Sequence, residues 1–334
     1  MKEHKIIFLL ILISIFSCSR DDSASYKNPN YRLEHSIISR GNNFPDFNPY
    51  KDSLELILTA LHQRTPHKAI LEAFNWIPTK LDERIKFLQG KGWIGKNHLP
   101  TIFIALNHEG EALLKASEPI AEDISASIKS IMPKIYSLYN QLSVSKEEDF
   151  NGWSFFILSN VLLDNYQIDF VESKFLMNKE RPLRNHKNYF YSIIENKDYP
   201  KQKFGIYGNY FRELNDSLSY GIYGNNRLQI TAKLKDQVFL DSLMNQARTI
   251  RASDIAVFKE MAHNYSELLL SDLRKNEKYI RKIYRDFHYD QEISFDEFFI
   301  WWYHFIYTKV TNNLSERGVI TLPKDGNFVY KIVK

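Results

Sequence analysis

Lys80–Ile94, KLDERIKFLQGKGWI, and Thr101–Leu114, TIFIALNHEGEALL, are the stretches on which the fold class turns. Leu81, Ile85 and Leu88 recur at i, i+4 and i+7, which puts one apolar face on a helix opening at Pro78. Gly90 and Gly92 end that helix. Trp93-Ile94 and Thr101–Leu106 lose the helical period and read as two short strands around Gly95–Pro100. Upstream, Asp52 is placed to cap a helix carrying Leu54, Ile57, Leu58 and Leu61. Thr65-Pro66 is a second helix start, and that helix runs to about Phe74 before the turn Asn75–Ile77. Downstream, Glu109–Leu142 is helical again. Its stripe is Ile120, Ile124, Ile128, Ile131, Ile135, Leu138 and Leu142, with Pro119 and Pro133 expected to bend or break it.

Helix, helix, turn, helix, two strands, helix is the winged-helix order, and residues 51–117 resemble the MarR-type regulators in this pattern. The resemblance implies a winged-helix shape. It departs from that family where DNA is read. Asp82 and Glu83 stand among Lys80, Arg84 and Lys86 on the third helix, and Gly95–Pro100 carries one Lys and no Arg. A wing that enters a minor groove needs basic residues there. The expectation is therefore a module used for packing or protein contact, without nucleic acid as a partner.

The remainder shifts toward strands and then back to helices. Trp153–Leu163 is largely apolar and reads as a buried helix. Tyr189–Ile194, Phe204–Leu214, Leu218–Tyr223 and Arg227–Leu234 read as strands, with turns at Asn215–Ser217 and Asn225-Asn226. Gly-Ile-Tyr-Gly-Asn occurs at Gly205–Asn209 and again at Gly221–Asn225. No Lys-Ser/Thr follows either copy, so the glycines point to close strand approach rather than a phosphate loop. Ser294-x-x-Glu297 is a capping box opening a long helix whose faces are nearly all apolar. Val319–Leu322 and Asn327–Val333 around Pro323–Gly326 are expected to close the chain as a hairpin. The fold class is thus α+β. Its expected parts are a winged-helix-like module at 51–145, a module with an antiparallel sheet at 150–245, and C-terminal helices at 250–334 ending in a β-hairpin.

The first residues speak of address. Lys2 and Lys5 precede the eleven-residue run Ile6–Phe16, then Ser17-Cys18, which is a secretory signal in outline and too short to span a bilayer. Cys18 is the chain's single cysteine, so no internal disulfide can form. Ile15–Cys18 resembles the bacterial lipoprotein signal, which implies cleavage after residue 17 and lipid attachment at Cys18. Ser19, Asp21 and Asp22 resemble the Ser-plus-acidic signal that sends some lipoproteins to the cell surface. The expected setting is the outer membrane, held by lipid and facing the exterior, with the periplasmic face as the alternative. Residues 18–50, punctuated by Asn28-Pro29, Phe44-Pro45 and Asn48-Pro49, read as a flexible tether. Asp-Ser-Ala/Leu at Asp22, Asp52, Asp216 and Asp241 resembles an O-glycosylation site of exported proteins, and also suits helix caps and turns.

Composition narrows the function without naming it. Charge is nearly balanced, 44 basic against 40 acidic residues, too mild for a nucleic-acid binder. Aromatics reach 14 %, with 23 Phe and 20 Tyr, enough for heavily aromatic cores. Asp286, Asp290 and Glu297 fall at positions one, five and twelve of a calcium-loop pattern, but His288 and Gln291 replace the oxygen donor and the glycine it needs. No His-Glu-x-x-His, Gly-x-Ser-x-Gly or phosphate-loop motif occurs. The expectation is a binding or interaction module with an unidentified protein or glycan partner and no catalytic residues assigned. A surface hydrolase acting on glycans or peptides is the alternative.

Overall fold

Three strands pair with one central strand in the first of two sheets. The computed structural model describes residues 32–178, 180–196 and 203–334. The strands are β1 (Arg32–Ser39), β2 (Phe103–Ala105), β3 (Leu183–Arg184) and β4 (Lys187–Asn196). β4 lies in the middle, antiparallel to β1 from Arg32↔Asn196 to Ser39↔Tyr189 and parallel to β2 at Phe103↔Ser192. Its sequence KNYFYSIIEN is buried almost continuously from Tyr189, as a strand with neighbours on both edges and cover on both faces must be.

This sheet belongs to a unit made of residues 32–107, 180–196 and 288–298. The helices Leu54–His62, His67–Phe74 and Pro78–Gly90 form as their periodicity demands. Ile57, Leu58, Leu61, Ile70, Leu81, Ile85 and Leu88 bury with Trp93, Ile104 and Tyr191 in one core. Asp52 caps nothing; it takes a left-handed backbone and pairs with Arg84 at 3.2 Å. Of the two expected wing strands, Trp93-Ile94 shrinks to a single bridge, Ile94↔Pro100, while the other survives as β2. Ile102–Leu106 is wholly buried and joins the sheet beside β4 instead of standing out as a wing.

The expected tether, 18–50, contains β1. Leu33 enters the core and Ile37 packs against it, two steps of the period-2 pattern in RLEHSIIS. The three consecutive modules expected at 51–145, 150–245 and 250–334 give way to two interleaved units, because β4 completes a sheet begun by β1 about 155 residues earlier.

The second unit comprises residues 108–178, 203–287 and 299–334. Its sheet runs β5 (Gly208–Asn215), β6 (Leu218–Gly224), β8 (Asn327–Val333), β7 (Arg248–Arg251), with only β7 and β8 parallel. The ends of the two Gly-Ile-Tyr-Gly-Asn copies face each other at Gly208↔Gly224. Arg227–Thr231, expected as a strand, is a short helix. Both edges of β6 are already taken, by β5 and β8, so the segment has no edge of β6 left to pair with. The expected terminal hairpin fails for the same reason: β8 lies between β6 and β7, and residues 319–322 form no strand.

Around this sheet stand Glu118–Tyr139, Ala252–Lys275 and Phe295–Glu316, the last counted with this unit from Phe299 onward. Pro119 sits in the first turn of Glu118–Tyr139, and Pro133 is carried inside the unbroken helix, whose stripe of Ile124, Ile128, Ile135 and Leu138 is buried. Phe298–Tyr303, Phe305–Thr308, Val310 and Leu314 are buried, so the long aromatic helix is central. The apolar stretch near 153–163 is helical as expected, α at Phe150–Phe155 and then π-helical at Phe156–Asn165. Among the described residues no helix is long and apolar enough to cross a membrane.

A buried carboxyl among tyrosines is the candidate functional site

The π-helical turn FILSNVLLDN is apolar except for Ser159, Asn160, Asp164 and Asn165, and the first three are buried. π-Turns recur at functional sites. Burial pushes the Asp164 carboxyl up to about 7; the nearby Arg227 guanidinium and the Tyr307 hydroxyl pull it back only in part. Arg227 is fixed by donating to the carbonyls of Gly208, at 2.7 Å, and of Gly224. A Cβ at Gly208 would lie 3.0 Å from that guanidinium, so glycine there keeps the space Arg227 occupies.

Hydroxyls line the remainder. Tyr223 and Ser159 are 2.5 Å apart, Ser159 and Thr311 2.7 Å, and Thr311 donates to the Tyr307 carbonyl at 2.8 Å. Since Thr311 spends its proton on that carbonyl, the chain runs one way: Tyr223 donates to Ser159 and Ser159 to Thr311. Tyr307 donates to the Tyr207 carbonyl at 2.7 Å and Tyr303 to the Leu163 carbonyl at 2.8 Å. Burial holds the phenols of Tyr223, Tyr303 and Tyr307 well above their usual range, so all three remain neutral donors. Tyr330 exchanges hydrogen bonds with the Asn209 amide at 2.9 and 3.1 Å. Asn160, fully buried, lies beside Tyr330.

His304 completes the set. Burial lowers its pKa to about 4; the Ile300 carbonyl, which accepts from Nδ1 at 2.8 Å, opposes that and Arg227 adds to it. With Nδ1 carrying the proton, Nε2 is an acceptor. The site therefore offers a carboxyl that can give or take a proton near neutrality, a fixed cation, a neutral imidazole and a wall of phenols. That inventory suits proton transfer or the hydrogen bonding of a hydroxyl-rich ligand. The groups acting on Asp164 include no second carboxylate.

The first unit contains three polar knots. Tyr191, its phenol pushed far up by burial, donates to His35 Nδ1 at 2.8 Å, and His35 Nε2 donates to Glu55 at 2.5 Å. The order carboxylate, imidazole, hydroxyl is that of an acyl-transfer triad, but a phenol shifted upward is the reverse of an activated nucleophile. The chain ties β1 to the Leu54–His62 helix and to β4. His62 meets Glu292 at 2.7 Å, with Arg64 on its other oxygen at 3.1 Å. Arg184 and Glu297 form a buried ion pair at 2.7 Å.

That last pair decides the fate of the calcium pattern. Glu297 accepts from Arg184 on one oxygen and from the Tyr191 amide on the other, at 3.1 Å. Ser294 keeps its half of the capping box by accepting from the Glu297 amide, while the Glu297 side chain turns to Arg184. Asp286 closes the Glu277–Asp286 helix paired with Lys282, and Asp290 is exposed in a short turn. Among the described residues no group of three or more His, Cys, Asp or Glu is arranged to hold a metal ion. Cys18, Ser19, Asp21 and Asp22 lie outside the described residues. Of the Asp-Ser sites, Ser217 and Ser242 are exposed and Ser53 half-buried.

Asp164, Arg227 and His304 escaped the sequence reading. One signal was present: a lone carboxylate at the end of an otherwise apolar run, one residue beyond where the buried helix was expected to stop. No protein-family model, curated protein or solved structure matches the chain.

Proposed function

We propose that this chain is a lipid-anchored protein of the bacterial envelope, held in the outer membrane with its body toward the cell exterior, and that the body is a binding module for a protein or glycan. The observation that carries it is the run Ile6–Phe16 between Lys2, Lys5 and the single cysteine, Cys18, with Ser19, Asp21 and Asp22 behind it. Diacylglyceryl and N-acyl chains each add about 0.8 kcal/mol per buried CH₂, so attachment by several chains is stable. The test is metabolic labelling with palmitate together with protease shaving of whole cells, for wild type, Cys18→Ala and the pair Asp21→Ala, Asp22→Ala. Expected are a labelled wild type that is shaved in intact cells, an unlabelled Cys18 variant, and an acidic-pair variant protected from shaving. A wild type without label sinks the lipoprotein reading. A labelled wild type cut only after permeabilisation moves the body to the periplasmic face.

A second reading, hydrolysis of glycans or peptides, draws on Asp164 with its carboxyl near neutrality. Purified protein is incubated with panels of both polymers. Turnover that disappears in a folded Asp164→Asn variant favours the enzyme; binding without turnover favours the module.

A further inference from the structure

The helix Glu277–Asp286, EKYIRKIYRD, divides cleanly by chemistry. Ile280 and Ile283 are buried, and Tyr279 donates to the Ala116 carbonyl at 2.9 Å. Lys278, Arg281, Lys282 and Arg285 fall at i, i+3, i+4 and i+7, which places them on one face, and all four are exposed. Arg274 and Lys275, at the end of the preceding helix Ala252–Lys275, are exposed as well.

Local acids neutralise part of this charge. Arg281 pairs with Glu277 at 2.8 Å, Lys282 with Asp286, and Lys275 with Asp123 at 2.8 Å. Arg274, Lys278 and Arg285 have no acidic partner among the described residues. From 274 to 286 there are six basic and two acidic residues, a net of +4; the whole chain, 44 minus 40, is also +4. The rest of the sequence therefore sums to zero, and the excess charge sits in thirteen residues on the rim of one unit.

We propose that this face docks on the anionic phosphate headgroups of the membrane surface. The helix has the division of an interfacial basic helix, except that its apolar side is already buried in the protein, so the contact is electrostatic rather than inserted. The proposal rests on the lipid-anchor reading, because the anchor keeps headgroups within reach at high effective concentration. A cation near an anionic surface contributes about fivefold in binding. Three without acidic partners give on the order of a hundredfold preference for an anionic over a neutral surface at low salt.

The full-length chain carrying Cys18→Ala, which lacks lipid, is sedimented with phosphatidylcholine vesicles and with phosphatidylcholine–phosphatidylglycerol vesicles. Neutral vesicles report whatever the apolar leader contributes. Expected is a preference of about a hundredfold for the anionic vesicles that shrinks with added salt. The pair Lys278→Glu, Arg285→Glu should lower anionic binding about 25-fold or more and leave neutral binding unchanged. Both positions are exposed, and an unchanged thermal melt checks that the variant is folded. Equal binding to both vesicles, or a pair variant that binds like the parent, overturns the proposal. So does capture by dextran sulfate without preference for anionic vesicles, which would assign the face to an anionic glycan. Palmitate labelling tests the anchor separately: anionic preference without labelling removes the anchor and keeps the charged face.

Discussion

Asp164 and His304 have opposite debts to burial. Asp164 titrates near 7 in the fold against 3.8 outside it, so the folded chain holds the proton more tightly. Its contribution is complete below about pH 4 and is lost as pH rises through 7. His304 titrates near 4 in the fold against 6.5 outside it, so its contribution is complete above about pH 6.5 and is lost as pH falls through 4. The slopes amount to roughly 4 kcal/mol for Asp164 and roughly 3 kcal/mol for His304, and they run in opposite directions. Urea unfolding across pH 4 to 7.5 reads these two slopes as differences from wild type, because the other shifted carboxyls, such as Asp46, Asp123 and Asp272, are common to every variant. Asp164→Asn should unmask a loss of stability on acidification, and His304→Gln a loss as pH rises; parallel curves for all three proteins would refute both assignments. At the other buried charge, Glu297→Ala strands Arg184 and should cost about 3–5 kcal/mol, whereas Arg184→Met with Glu297→Leu should cost much less. Denaturant midpoints for the two variants and wild type decide it. None of these partners is near another in sequence, so a residue-by-residue reading had only the oddity of one carboxylate in an apolar run to offer.

Helices were legible, and so were the strands at 189–194, 218–223 and 327–333; where a strand was misread, the reason is visible at the level of elements. A helix satisfies its own backbone, so Leu81, Ile85 and Leu88 or the Ile120–Leu138 stripe suffice to announce one. A strand needs a free edge elsewhere. Arg227–Thr231 and residues 319–322 have suitable side chains, but the edges of β6 and β8 that they were expected to pair with are already taken. The glycine repeat was read correctly as a place of close approach. A Cβ on Gly221 would sit 2.2 Å from the ring of Tyr330, its register partner across β6 and β8. Gly221→Ala should lower stability by about 1–3 kcal/mol. Adding Tyr330→Leu should cost less than the sum of the two single changes. A double-mutant cycle by thermal unfolding that proves additive would show that the ring is not what excludes the methyl group.

At the scale of the whole molecule the chain order and the folding units disagree. β1 and β2 never pair with each other; both pair with β4, which lies beyond residue 186. A fragment of residues 32–107 holds the three helices that resemble a winged-helix module and lacks the strand that joins its sheet. Its amide spectrum should show little dispersion, while the full chain's is well dispersed; a folded fragment would mean that the helices are self-sufficient. The α+β class, the helices and the apolar character of the long C-terminal helix were determined by sequence alone, since period and composition act over a few turns. The proposed N-terminal signal rests on consecutive residues in the same local way. Tertiary structure alone decided that Arg32–Ser39 is a strand, that two units interleave, and that buried Asp164 and His304 both feel the charge of Arg227. Edge pairing and desolvation belong to segments brought together from far along the chain, and no local window contains them.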